Sequence, residues 1–513
     1  MVSKLIEMIK EALSKMKTTT AKDTDVVKEP DIYTISNAMT DAIELWKDMY
    51  MDNSPWLNED DGIYSMNIPS SICSELTMYV LNEVESHIVV PGQIEKTNAH
   101  DESGQDIDIY TNRAVYLDNI YHKHLIPKLQ DVVEQAMALG GVIIKPYFSN
   151  NGIYFDFCYQ GEFYPISFDD DGNITDIAFY DSFIAGKNKY TKIERQTFEN
   201  NTITIQNKAY KAKFNPDSDT EELGDEIPLS SVERWANIPD EPVYIGDVDK
   251  PLYGFYKIPL ANNVDMKSPL GISVFSKAAR VIKRADYQFS RLDWEYEAGQ
   301  IAIDVDPTAI VTEASYYGTA LKQDELRNRI YRKIDLGTDE TYNAFAPALR
   351  DANYLAGLNR YLTRIEDIVC VARGTLSDVE AEARTATEIK TLKQKTFDTV
   401  HKNQASLQKA LEQAIYAANI LIDLYQEELQ APDGDYVMNT EWSDSILVDT
   451  YAELEQRMNL MDKDVLSKTE VRQWYTGEDT ETAQANIEAI KKDKQDSMMN
   501  DLFGTLPQST LEQ

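Results

Sequence analysis

Basic residues, cysteines, histidines and long apolar runs are all scarce in this chain of 513 residues. Fifty Lys and Arg stand against 87 Asp and Glu, a net charge of −37. That deficit argues against a protein that grips nucleic acid by wrapping phosphates, whose footprint is basic. It suits high solubility or a surface that repels polyanions. The three cysteines, Cys73, Cys158 and Cys370, lie far apart and form no CxxC pair. They read as buried reduced thiols rather than as disulfides or metal ligands. No apolar run reaches the roughly 18–20 residues that span a bilayer. Residues 1–17 read as an amphipathic helix without a continuous apolar core or a small-residue cleavage site, which excludes a signal peptide. A surface or subunit-contacting helix is the expectation there, with a membrane-surface helix as the other reading. P-loop, GxSxG, HExxH and Rossmann fingerprints are absent. Of the five histidines, His122 and His124 are two apart on a predicted helix, do not share a face, and make a poor metal pair. No metal site and no cofactor is expected.

What is present is enough apolar residue for a real core, 42% against 27% charged. Helical spacing predicts helices over 35–50, with Trp46 on the apolar face, and over 71–86. A third helical stretch, 114–139, should kink at Pro127 and end at Gly140-Gly141. Residues 18–30 and 98–110 read as polar loops. Strands follow over 142–147 and 153–157. A hairpin, 163–168 with 174–179, turns through Asp169-Asp170-Asp171-Gly172-Asn173. With Gly172 in the sixth place of a calcium loop, Ser167, Asp169 and Asp171 take the first, third and fifth. The twelfth is Ala178 rather than Glu, so the turn is the better reading. More strands run from Tyr190 to Tyr210 around Asn200-Asn201. The acidic, proline-dotted residues 213–250 read as an extended connection, and 253–258 as a short strand.

The chain is organised around residues 268–389. Ser268-Pro269 carries the N-cap and first-turn chemistry of a helix. Phe275, Ala278, Ile282, Ala285, Phe289, Leu292 and Tyr296 then repeat at steps of three and four to about Ala298. Such a helix would be roughly 45 Å long. Gly299 stops it. Strand-like runs flank a basic, helix-like insert at 324–333. A second amphipathic helix covers 349–371, and Arg373-Gly374 breaks it into a polar loop. Thr385-Ala386-Thr387-Glu388 can box the start of a long helix, 390–430. A strand near 441–449 and short helices over 450–462, 468–475 and 479–491 complete the chain. Ser467 to Glu470 forms a capping box for the middle one. From residue 430 on there are 18 acidic and 7 basic residues, and the last twenty read as disordered.

Pro269-Leu270-Gly271-Ile272-Ser273, Glu295-Tyr296-Glu297-Ala298-Gly299-Gln300 and Thr385-Ala386-Thr387-Glu388-Ile389, in this order and spacing, resemble the portal proteins of tailed bacteriophages, in particular those of long-tailed phages of Gram-positive hosts. The 163–179 hairpin, the strands to Tyr210 and the run from Asp444 to Lys468 extend the likeness over roughly 30–495. The resemblance implies an α+β, mainly α, portal fold. Residues 1–267 would form a wing and 268–299 a first stem helix. Residues 300–347 would form a clip, 348–372 a second stem helix and 373–389 a tunnel loop. Residues 390–449 would be a long wing helix and strand, 450–495 a crown and 496–513 a disordered tail. It further implies a ring of twelve copies at one vertex of the virion capsid, assembled in the bacterial cytoplasm. Double-stranded DNA would pass through it without sequence specificity. Its partners would be the terminase large subunit, the major capsid and scaffolding proteins, and a head–tail connector. On that basis Arg373, Ser377, Asp378, Glu380, Glu382 and Arg384 are candidates for the DNA channel. Arg327, Arg329, Arg332 and Lys333 are candidates for partner contacts in the clip.

An acidic channel would repel phosphates and avoid adhesive cationic contacts, and Asp286, Asp293 and Glu297 are the stem candidates to line it. Rings of cyclic symmetry use heterologous contacts, for which the mixed charges of the stem helices are suited. The competing readings are a non-portal minor head or adaptor protein and, further off, an acidic-site nuclease. The latter would need a pocket of clustered, shifted carboxylates.

Overall fold

The computed structural model describes residues 35–82, 84–91, 112–149, 152–214, 223–299, 302–305, 331–333, 342–345, 348–378, 386–442, 450–463, 465–476 and 480–503. The expected helix 1–17, the loops 18–30 and 98–110 and most of the basic insert lie outside them. Two compact units make up the chain, Met1–Trp442 and Ser443–Gln513. Helices and largely antiparallel strands are mixed in an α+β arrangement. Among the described residues no helix is long and apolar enough to cross a membrane.

The first unit opens with α1 (Asn37–Tyr50), capped by the Ser36 side chain and burying Met39, Ile43, Trp46 and Met49. Helix α2 (Ile68–Leu81) ends earlier than its periodicity suggested. Residues Glu85–Val89 form strand β1 instead. The partner that draws this segment into a strand is about 350 residues away, so no local pattern announces it.

The third helical stretch is broken as Pro127 requires. Helix α3 (Arg113–Ile120) passes into a π turn at Tyr121–Leu125, a 3₁₀ turn at Ile126–Lys128 and α4 (Leu129–Leu139). Gly140 ends it at φ +95°, a conformation that costs other residues strain.

Strands β2 (Gly141–Ser149) and β3 (Gly152–Tyr159) pair as a hairpin. Strands β4 (Phe163–Phe168), β5 (Ile174–Ala185), β6 (Asn188–Glu199) and β7 (Thr202–Lys213) form an antiparallel meander with Ile177, Ile193 and Ile203 inward. The Asn200-Asn201 turn has positive φ at both residues, 50° and 58°, as a tight hairpin demands. At the 169–173 turn both Asp169 oxygens accept from Asn173, at 2.7 and 2.9 Å.

Residues 223–250 are more ordered than an extended connection. Strands β8 (Asp225–Ile227) and β9 (Val243–Ile245) both add to β7. The intervening 3₁₀ turns bury Leu229 and Trp235 against the sheet. Burial of these two apolar side chains explains why an acidic, proline-dotted segment still packs.

Strand β10 (Gly254–Lys257) pairs with β2. The next stretch corrects the sequence reading. Residues 268–275 are not helical, and the helix begins only after a 3₁₀ turn, as α5 (Ala279–Ala298). Leu270, Ile272, Val274 and Phe275 are all buried, so the segment has no solvent-facing side on which a helix could turn. Gln160 instead clamps its backbone, accepting from Gly271 N–H at 3.0 Å and donating to Gly271 O at 3.0 Å. At 20 residues α5 spans about 30 Å.

A three-stranded sheet follows. It joins β11 (Ala302–Val305) to β12 (Tyr331–Lys333) in parallel and to β13 (Tyr342–Phe345) antiparallel. The end of the expected basic helix, 331–333, is therefore strand, because it pairs with β11. Helix α6 (Asp351–Val369) returns and ends at Cys370 in a left-handed conformation. Helix α7 (Ala386–Leu424), the short α8 (Gln426–Leu429) and β14 (Val437–Glu441) close the unit, β14 pairing with β1.

Helix α7 is the spine. Leu407, Leu411, Ala414, Ile415 and Ala418 are fully buried, and the helix lies on β10 and β2. The approach is so close that a Cβ on Gly254 would overlap the Ala410 carbonyl oxygen. Arg113, 3% exposed, ties α3 to the far end of α7, donating to Asn419 Oδ1 at 2.8 Å and pairing with Asp423 at 2.8 Å.

In the second unit α9 (Thr450–Asp462), α10 (Lys468–Thr476) and α11 (Thr480–Phe503) follow in order. The capping box is reciprocal. Glu470 N–H donates to Ser467 Oγ at 3.1 Å, and Ser467 N–H donates to Glu470 at 2.7 Å. Helix α11 carries through Phe503, so residues 496–503 are not the unstructured tail expected of them.

Candidate functional site

Helices α5 and α6 form an antiparallel hairpin whose ends are joined by the β11–β13 sheet. The direction follows from the contacts. Gln288 donates to Tyr354 O at 3.3 Å, and Glu295, one turn before the helix end, meets Arg350 at the start of α6. Glu295 accepts from the Arg350 backbone N–H at 3.0 Å, from Nε at 3.1 Å and from Nη2 at 2.7 Å. This fork-on-carboxylate geometry fixes both helices where the sheet begins. The Arg350 bonds hold the Glu295 carboxyl below its ordinary range.

Of the three acids expected to line a channel, Asp286 does not fit that role. It is 2% exposed and cannot line a surface. Its oxygens accept from Trp56 Nε1 at 2.9 Å and from Met66 N–H at 3.1 Å. With Ser290, which accepts from Tyr64 N–H at 2.9 Å, it fastens segment 54–66 to α5. Asp293 and Glu297 are exposed, at the sheet end of the helix. Lys277, Arg280, Lys283, Arg284 and Arg291 are also exposed. The exposed charge along this helix is therefore basic toward the body and acidic only near its end.

The loop after α6 is built on one carboxylate. Glu366 is fully buried. Its Oε1 accepts from the N–H groups of Gly374, Leu376 and Ser377 at 3.1, 2.7 and 2.8 Å. Its Oε2 accepts from Ser377 Oγ at 2.6 Å. Ser377 is thus an anchor rather than a group free to contact DNA. Asn359 clasps the backbone of Asp378 on both sides, accepting from its N–H and donating to its O, each at 2.8 Å. The Asp378 residue itself is exposed. Arg373 is exposed and holds Asp367 in a two-pronged pair at 2.9 and 3.0 Å. That pair keeps the Asp367 carboxyl below its usual value.

Glu380, Glu382 and Arg384 lie outside the described residues, as do Arg327 and Arg329. Arg332 and Lys333 sit on β12, where the backbone alone is described. Neither Glu366 nor Asn359 was singled out from the sequence. The signal that could have found Glu366 is an acid at an inward position of an amphipathic helix, just before a helix break, whereas Asn359, half-buried in mid-helix, gives no such signal.

One concavity of about 310 Å³ sits on the meander and is lined by Lys145, Asp156, Cys158, Glu162, Glu194 and Arg234. Within it Glu194 pairs with Lys145 and Lys192, while Arg234 pairs with Asp181. Burial alone would raise Glu194, but Lys145 at 2.9 Å and Lys192 at 3.5 Å bring it down to about 2. Burial pushes the Cys158 thiol up to about 12, which leaves it protonated and unreactive. The arrangement is a neutralised ion-pair network and lacks an activated nucleophile.

No family model matches the chain, and no curated protein matches it.

Proposed function

We propose that this chain is the subunit of a tailed-phage portal. In this reading it forms a ring, of about twelve copies, at a single capsid vertex. Double-stranded DNA enters and leaves through its channel, and the ring docks the terminase large subunit and later the head–tail connector. The subunit is a conduit and a platform; ATP-driven work belongs to the terminase. Helices α5 and α6 are the stem, the β11–β13 sheet the clip, the Glu366-anchored loop the base of the tunnel loop, α7 the wing helix and α9–α11 the crown.

The observation that carries the reading is the hairpin itself. Two clasped antiparallel helices bear a small separate sheet at one end and, at the other, a loop held at its root by a buried carboxylate. Such a hairpin is compatible with a stalk that leaves a body, carries a small module and returns. Exposed apolar side chains support self-association. Trp294 and Tyr296 on α5, and Leu349 and Leu355 on the return, are all at least 44% exposed. Large exposed apolar side chains at one end of the hairpin are candidates for such contacts. The basic body end and acidic sheet end of α5 give a heterologous ring interface two charges to match. The DNA-repelling role assigned to carboxylates rests on Asp293, Glu297 and Asp378, without Asp286.

Mass measurement of the purified chain, alone and co-expressed with the phage capsid and scaffolding proteins, tests the proposal. A closed oligomer near twelve copies in either preparation is expected. A monomer in both contradicts it.

A further inference from the structure

Two histidines and one aspartate that are scattered in sequence meet where β1 crosses α3. Asp118 on α3 and His122 in the π turn that follows are four apart and face each other, and His87 reaches them from the strand. Asp118 Oδ1 is 3.6 Å from His87 Nδ1 and 3.3 Å from His122 Nδ1, and the three donor atoms lie within 4.8 Å of one another. The two imidazoles stack with centroids 4.8 Å apart. We propose that His87, Asp118 and His122 form a binding site for one divalent transition-metal ion of the zinc class.

Four features of the fold support it. A metal held at about 2.0–2.2 Å by two donors at a tetrahedral angle sets those donors about 3.3–3.5 Å apart, close to both carboxylate–imidazole separations. His87 Nδ1 is buried and has no hydrogen-bond partner, an unmet polar atom whose nearest charge is that carboxylate. The carboxylate is itself oriented, since Asp118 Oδ1 accepts from Ile88 N–H at 2.8 Å, an outer contact of the kind that fixes metal ligands. The helix carries a π turn at Tyr121–Leu125, closed by Ile126 N–H on Tyr121 O, and such insertions concentrate at functional sites.

A cavity of about 390 Å³, lined by Glu85, Ser86, His87, His122 and Gln130 among others, adjoins the cluster. It leaves room for water or another ligand to complete the shell. Nitrogen and oxygen donors without thiolate suit zinc, cobalt or nickel. Cation binding would draw the two rings together by a small rotation. His122 Nδ1 also lies 3.0 Å from the Asp118 carbonyl, and the proton shared there would move to Nε2 as the lone pair turns to the metal. The ion would join β1, and with it the β1–β14 pair, to α3. His124 does not take part, its ring packing on Tyr154.

The test is Co²⁺ titration of the untagged full-length protein, followed by visible absorption, with Zn²⁺ in competition. One Co²⁺ per chain is expected, with the absorption of a low-symmetry nitrogen–oxygen shell and no thiolate charge-transfer band. His87→Ala, Asp118→Asn and His122→Ala should each weaken binding about tenfold or more. His124→Ala and His401→Ala should leave it unchanged. Absence of stoichiometric binding, or affinity unaltered in both His87→Ala and His122→Ala, overturns the assignment. X-ray absorption of the zinc-loaded wild type does not depend on the variants folding. Two imidazoles and no sulfur in the shell support the site, and a sulfur ligand overturns it.

Discussion

Four donors converge on the Glu366 carboxylate, and all come from the eight residues that follow α6. Removing it strands three N–H groups, of which that of Ser377 is buried and those of Gly374 and Leu376 are closer to solvent. Glu366→Ala should cost about 3 kcal/mol in chemical denaturation, and Glu366→Gln, which keeps one acceptor oxygen, about 1 kcal/mol. Equal stability of wild type and Glu366→Ala would show that the loop does not depend on this anchor.

A second residue-scale expectation concerns acid. The Glu194 carboxyl lies near 2 in the fold, below an unfolded value of about 4.3. Because the folded value is depressed, its contribution is complete above about pH 4.5 and falls away as pH drops toward 2. Between pH 6 and 3 the wild-type melting temperature should fall more steeply than that of the paired variant Lys145→Met with Glu194→Gln. Parallel curves would contradict the assignment. Single positions were the least legible part of the sequence. Asp286 and Ser377 sit where a polar face was expected, but Trp56, Met66 and Glu366 cover them, and only the tertiary fold brings those partners in.

At the scale of elements, local chemistry served well where structure is locally determined. Pro127 broke its helix, Gly140 and Gly299 ended theirs, Asn200-Asn201 turned the hairpin, and Ser467 with Glu470 capped α10. It failed where a distant partner decides. Glu85 and Ser86 continue a helical pattern yet belong to a strand that pairs with Val437–Glu441, and residues 268–275 stay non-helical, with Gln160 clamping Gly271. Two tests belong here. Gly254→Ala would force α7 off β10 and should destabilise the first unit by about 1–3 kcal/mol or more in thermal or denaturant unfolding. A neutral outcome would mean the helix has room to shift. Arg350→Ala should release the hairpin where its sheet begins. Hydrogen exchange at 295–299 and 350–354 should quicken, while exchange in α7 stays as it was. Unchanged exchange at those ends would show the clasp to be dispensable.

The whole molecule is strongly acidic, at −37, but that charge is not spread evenly over the proposed stem. Exposed Lys and Arg occupy the body end of α5, and the acids cluster at the other. Composition made the sign of the protein legible, while only the fold shows which charges are withdrawn by pairing, as with Glu295 and Asp367. A ring built on this hairpin would bring exposed Trp294, Tyr296 and Leu355 of one copy against the next, and raised ionic strength should affect its assembly through the α5 charges. Electron microscopy of the purified particles, viewed end-on, separates a portal ring from any other assembly. Closed rings of about twelve subunits around an open central channel are expected, with a narrower stem and clip in side view. Particles lacking a channel, or an oligomer without rotational symmetry, would contradict the portal reading.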